Sequence, residues 1–94
     1  MRIAFHGAAG SVTGSNHLIQ TEGGTLMIDC GMFQGPKEIR TRNHMAFAYQ
    51  PQTIDAVIIT HAHIDHSGRL PRLVKQGYSG PIYATPATAE LLRI

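Results

Sequence analysis

The order of apolar runs and turn signals predicts an α/β (α+β) chain, with consecutive strands first and alternating strand and helix after them. Three observations carry that expectation. Short apolar, partly β-branched runs lie at Arg2–His6, Ser15–Gln20, Thr25–Asp29 and Asp55–Ile59, and turn residues separate them. A clear helical period begins only after residue 66. Between these two regimes stands Thr60-His61-Ala62-His63-Ile64-Asp65-His66-Ser67-Gly68, a cluster of polar side chains directly after an apolar strand.

Taken in order, Arg2 to His6 runs into Gly7-Ala8-Ala9-Gly10-Ser11-Val12-Thr13-Gly14, a glycine-rich turn. Thr21-Glu22-Gly23-Gly24 has the composition of a hairpin loop joining the second strand to the third. Cys30 to Thr53 has no clean period and is broken by Gly31, Gly35, Pro36 and Pro51, although Lys37 to Arg42 has room for one helical turn. Asp55 marks the turn before the buried run Ala56-Val57-Ile58-Ile59. The next helix is expected to take Ser67 as N-cap and Pro71 in its first turn. Leu70, Leu73 and Val74 would share its apolar face, Lys75 would sit in the last turn, and Gly77 would stop it. A short strand, Ile82-Tyr83-Ala84, precedes a last helix opened by Thr85-Pro86, with Ala87, Leu91 and Leu92 as its apolar residues. Helices on one side only would leave the other sheet face open. The 94 residues are therefore expected to be the first half of a layered domain, and the exposed face to favour self-association.

Composition narrows the class. The hydrophobic share of 43% is ordinary for a globular chain, and a net charge of +2 does not by itself imply nucleic-acid binding. The single Cys30 rules out an internal disulfide and fits a reducing compartment. No signal peptide and no apolar run long enough to cross a bilayer is visible, so a soluble cytoplasmic chain without membrane association is expected.

The chemistry is concentrated at the exit of the fourth strand. If residues 60–64 are extended, His61 and His63 point to one side, while Asp65 and His66 fall where the chain turns into a helix. One histidine at a strand end is usually a polar cap or a satisfied core residue. Three histidines and an aspartate in six positions would be a costly cluster without a cation among them. Imidazole nitrogen and carboxylate oxygen suit zinc, and two such ions can share a hydrolytic site.

A competing reading starts from Gly7-Ala8-Ala9-Gly10, which resembles the opening of a dinucleotide-binding turn, with Asp29 as the ribose-binding acid. Two features oppose it. Thr13 stands near where the third glycine belongs, and the residues after the turn read as strand, turn and strand rather than helix. Asp29 itself is open to two interpretations: a turn former before Cys30-Gly31, or an acid that orients a metal-binding histidine. Cys30 reads as a small buried residue rather than a ligand. Lys37, Arg40, Arg42 and His44 form a loose basic patch, by default solvated loop charge and otherwise a phosphate-backbone contact.

His61-Ala62-His63-Ile64-Asp65-His66 resembles the signature of the metallo-β-lactamase superfamily. Val12-Thr13-Gly14-Ser15-Asn16-His17-Leu18 and Asp29-Cys30-Gly31-Met32-Phe33-Gln34-Gly35 resemble its β-CASP branch of RNA-processing nucleases. The resemblance implies an αββα sandwich, of which residues 1–94 would be the N-terminal half, with a dinuclear zinc site at one edge of two sheets. It implies that His61 and His63 hold one zinc and that Asp65 and His66 hold the other. Asp65 would also help hold the attacking hydroxide, and Asp29 would support the ligands. The family's remaining ligands, a His, a bridging Asp and a final His, have no counterpart here, nor has the inserted β-CASP domain. Expected partners are RNA and the absent C-terminal half of the domain. The expected activity is zinc-dependent hydrolysis of RNA phosphodiester bonds by the complete protein, with this piece inactive alone. A thioester or lactam hydrolase on the same fold, and a purely structural half-domain, are the alternatives.

Overall fold

Alternation of apolar and polar residues in the first strands, and the glycines between them, fold the N-terminal third into antiparallel pairs. In the computed structural model, residues 1–7, 13–44 and 47–92 are described, except the side chains of residues 39 and 65. β1 (Arg2–Gly7) pairs antiparallel with β2 (Asn16–Thr21), which pairs antiparallel with β3 (Gly24–Ile28). Glu22-Gly23 closes the β2–β3 hairpin, where the Thr21 hydroxyl accepts from the Gly23 amide at 3.2 Å. β3 then pairs parallel with β4 (Ala56–Ile58), and β4 parallel with β5 (Ile82–Tyr83), giving one sheet in the order β1-β2-β3-β4-β5.

The connections carry the helices. Lys37–Arg40 is a single turn, α1, followed by a 3₁₀ turn at Thr41–His44. After β4 come α2 (Ile64–Ser67), α3 (Leu70–Lys75) and, after β5, α4 (Pro86–Leu92). Gly77 ends α3 with φ 117°, a conformation that suits glycine, and its amide donates to the Val74 carbonyl. Thr85 caps α4 as expected, its hydroxyl accepting from the Thr88 amide at 3.2 Å.

Two expectations need correction. Ser67 does not cap the helix that carries Pro71. It ends the preceding turn α2, and its hydroxyl reaches back to the carbonyls of Ala62 (3.2 Å) and His63 (3.1 Å). Val74 does not share the buried face of α3: Leu70 and Leu73 are buried while Val74 is 52% exposed. With only six residues, α3 presents a stripe one turn wide, and i to i+3 fills it.

One face of the sheet is covered. Leu18, Met27 and Val57 pack with Cys30, Ile54, Ile59, Leu70, Leu73 and Tyr78 into the buried core. Pleat alternation and register place Ile3, Phe5, Ile19, Leu26, Ile28, Ile58 and Tyr83 on the opposite face. There Ile3, Phe5, Ile58 and Tyr83 are exposed, which is the open face the order of elements led us to expect. Among the described residues no helix is long and apolar enough to cross a membrane.

Candidate metal centre

Parallel pairing of β3 with β4 brings the ends of both strands to one edge of the sheet. Asp29 directly follows β3, and Thr60 stands two residues beyond β4. The Asp29 amide continues the ladder by donating to the Ile58 carbonyl at 2.8 Å, and the chain then turns with Asp29 at φ 62°. Aspartate tolerates this left-handed conformation better than most side chains.

The turn after Asp29 straps the helical part of the cluster in place. The Cys30 amide donates to the His66 carbonyl, and the Met32 amide to that of Ile64, both at 2.9 Å. The Gly31 amide donates to Ser15, and the Cys30 carbonyl accepts from Arg69, again both at 2.9 Å. Thus α2 is fixed by the backbone of residues 30–32, which in turn is fixed to the residue before β2. Asn16 adds a side-chain link, donating to the Asp29 carbonyl at 2.9 Å while its oxygen accepts from the Tyr49 hydroxyl at 2.8 Å.

Within that frame the Asp29 carboxylate, 2% exposed, is the hub. It accepts from the Thr60 amide (2.8 Å), from the Thr60 hydroxyl (2.8 Å) and, at the longer 3.5 Å, from the Ser15 hydroxyl. His66 Nδ1 lies 2.7 Å from Asp29 Oδ2. A carboxylate accepts, so that nitrogen carries the proton and the lone pair of the ring is on Nε2. Asp29 makes the turn, and its carboxylate also bonds the His66 ring, so the two interpretations left open by the sequence are compatible.

The three histidines adjoin. The ring of His61 is 3.8 Å from that of His66 and 4.8 Å from that of His63, centroid to centroid. His66 belongs to α2 and His63 is its N-cap residue, so the helix begins at Ile64, inside the stretch 60–64 read as extended. Asp65 lies on α2, but its side chain falls outside the described residues, so the fourth expected ligand has no stated position. Among the described residues no three His, Cys, Asp or Glu side chains form a group that could hold an ion. Adjacent imidazoles, one of them already oriented through its far nitrogen by a carboxylate, nonetheless fit zinc in donor chemistry.

Other sequence-stretch candidates separate from this centre. Burial pushes the Cys30 thiol up to about 12, so it stays neutral and acts as packing, not as a thiolate ligand. Lys37, Arg40 and His44 line one shallow depression with Thr41, whereas Arg42 stacks over the Phe33 ring at 4.5 Å. Arg69, absent from the sequence-based candidates, lies 4.2 Å over the Phe47 ring, and burial lowers its pKa. The glycine-rich turn at 8–12 lies outside the described residues, but β2 follows it where a dinucleotide fold needs a helix. Thr60 was within the notable stretch without a role. A hydroxyl residue immediately before the first histidine at a strand exit was the available signal.

Comparison with known proteins follows the same lines. Over its full length the chain is 54% identical to ribonuclease TTHA0252 of Thermus thermophilus, covering 21% of that protein. It is 40% identical, over 98% of its length, to the transcription termination factor FttA of Methanosarcina mazei, covering 15% of it. The chain thus spans about a fifth or less of the length of these relatives. The metallo-beta-lactamase fold protein YhfI from Bacillus subtilis superposes with a TM-score of 0.63 at 25% identity, over 97% of this chain and 39% of that one. These relatives agree with the resemblance drawn from the His motif and the two glycine-flanked stretches. The metallo-beta-lactamase superfamily model matches residues 10–93, and the chain belongs to that superfamily.

Proposed function

We propose that this chain contributes half of the metal shell of a two-zinc hydrolase that cleaves RNA phosphodiester bonds. The observation that carries the reading is the adjacency of the His61, His63 and His66 rings, with His66 bonded to the Asp29 carboxylate, at the shared end of two parallel strands. The names of the relatives, a ribonuclease and a transcription termination factor, support RNA over a small-molecule thioester or lactam. His61 and His63 would bind one ion, and Asp65 and His66 the other. When bound, zinc supplies Lewis acidity toward phosphoryl oxygens and a nucleophile active near neutral pH. Asp29 acts through His66 as a positioning residue, holding the proton on Nδ1 so that the ring lone pair is on Nε2. The buried backbone links at residues 30–32 keep α2 from shifting when the ligands are drawn together.

The remaining ligands and the cover of the open sheet face would come from a further part of the domain, for which the exposed Ile3, Phe5, Ile58 and Tyr83 are the support. Without that cover the same face favours self-association. The deciding experiment assays the full-length protein, loaded with zinc, on single-stranded RNA and on a thioester. RNA cleavage lost in His63→Ala supports the proposal. Full activity of that variant, or thioester hydrolysis without RNA cleavage, overturns it.

A further inference from the structure

We propose that Thr60 is a positioning residue through which the Asp29 carboxylate fixes the ring tautomer of His61, as it fixes that of His66 directly. This inference rests on the metal-binding reading above and adds to it a residue and a device. The Thr60 hydroxyl stands 2.8 Å and 3.1 Å from the two Asp29 oxygens and 3.0 Å from His61 Nδ1. A hydroxyl has one proton to give, and a carboxylate can only accept. The proton therefore goes to Asp29, and the hydroxyl oxygen accepts from His61 Nδ1–H. That places the lone pair of His61 on Nε2, the same nitrogen that carries the lone pair in His66 given its 2.7 Å contact with Asp29 through Nδ1.

The hydroxyl is not free to choose otherwise. The Thr60 amide also donates to Asp29, at 2.8 Å, so backbone and side chain grip one carboxylate together. The rings so ordered are the two whose centroids lie 3.8 Å apart. One buried acid thus presents two adjacent imidazole lone pairs, one through a direct bond and one through an intervening hydroxyl. His63 lies outside this relay: no contact with Asp29 or Thr60 orders its ring among the described interactions.

The test reads protonation ring by ring. Metal-free protein with ¹⁵N-labelled histidine is examined at about pH 8, above the ordinary imidazole pKa, for which nitrogen of each ring carries the proton. Both His61 and His66 are expected in the Nδ1–H form. Thr60→Val keeps the shape and removes the hydroxyl; there His61 should lose the Nδ1–H form while His66 keeps it, and zinc affinity should fall about 10–100-fold. Thr60→Ser should restore both. A His61 ring protonated on Nε2 in the unaltered protein, or unchanged in Thr60→Val, overturns the relay; the first of these decides even if the valine variant does not fold. Added zinc that perturbs neither ring would instead refute the metal-binding reading, independently of the tautomers.

Discussion

Replacing Asp29 by Asn isolates what its charge does, because the two side chains have one shape and Asn accepts the left-handed backbone at φ 62° readily. The carboxylate receives three short hydrogen bonds, from the Thr60 amide, the Thr60 hydroxyl and His66 Nδ1. An amide offers one oxygen and one NH₂, so a donor must now face either Thr60 N–H or His66 Nδ1–H. The cheaper outcome is for His66 to move its proton to Nε2 and accept at Nδ1, which removes the Nε2 lone pair that the proposed ion would use. Disturbing such a partner of a ligating histidine typically costs about 10–100-fold in metal affinity, or roughly 1.4–2.8 kcal/mol at about 1.4 kcal/mol per tenfold. Folding stability should fall by about 1–3 kcal/mol, the scale of a charge-assisted bond replaced by a neutral one. Asp29→Ala should be worse, by roughly 3–5 kcal/mol. It strands buried donors and puts a residue with no local hydrogen-bonding group at positive φ. Zinc competition against a chromophoric chelator and urea unfolding at neutral pH measure the two effects. Asp29→Asn that binds zinc within about twofold of the unaltered protein would refute the orienting role.

Other perturbations test the frame around the site. Leu73, fully buried against the sheet, should lose roughly 2–5 kcal/mol on change to Ala, read as a lower urea midpoint. Gly68→Ala would bring a Cβ within 2.6 Å of both the Ile64 carbonyl and Met32 Cβ, so α2 must shift. A loss of about 1–3 kcal/mol is expected, together with weaker zinc binding, and unchanged stability would contradict the tight packing of α2 on residue 32. Burial raises the Cys30 thiol from 9.0 to about 12, so above pH 9 the folded chain keeps a proton that the unfolded chain has lost. Stability should therefore hold below that pH and decline from it toward pH 12, by at most about 1.4 kcal/mol per pH unit for this group. Tyr49, raised by its burial, acts in the same direction. A urea midpoint that rises over this range would refute the assignment.

The elements legible in the sequence were those whose signal is local. Every strand was visible as an apolar run between turn residues, because each is short and bounded by residues that favour turns. The hairpin loop at Glu22-Gly23 and the Thr85 cap are likewise local and came out as expected. The start of the helical region was misplaced because α2 has no side-chain cap to announce it. It is held by backbone bonds from Cys30 and Met32, more than thirty residues earlier in the chain. Thr60 escaped assignment for the same reason. A hydroxyl before the first histidine was visible, but its partner Asp29 becomes a neighbour only through parallel pairing, which no window of sequence displays. Val74 fell on the wrong side because a helical period read over a longer stretch was applied to a helix of two turns.

That parallel pair explains why acid and histidines come from distant parts of the chain and still converge. Consecutive strands that run antiparallel send their ends to opposite edges, so the turn after β2 faces away from the turn after β3. The switch to parallel pairing at β3 and β4 brings two successive strand exits to one edge, the place where open α/β sheets gather ligands. Both exits are polar and followed by turns, which satisfy their backbone groups without extending the sheet. The apolar residues on the uncovered face, Ile28 and Ile58, end the same two strands directly before those exits. On the proposed reading, a further part of the domain laid on that face would also abut the histidine cluster, so that cover and metal shell would be coupled by position. Polar substitution at Ile58 should then weaken zinc binding more than the same change at Ile3, on the far strand β1, although both weaken docking. Equal loss of zinc affinity in the two variants would break that coupling.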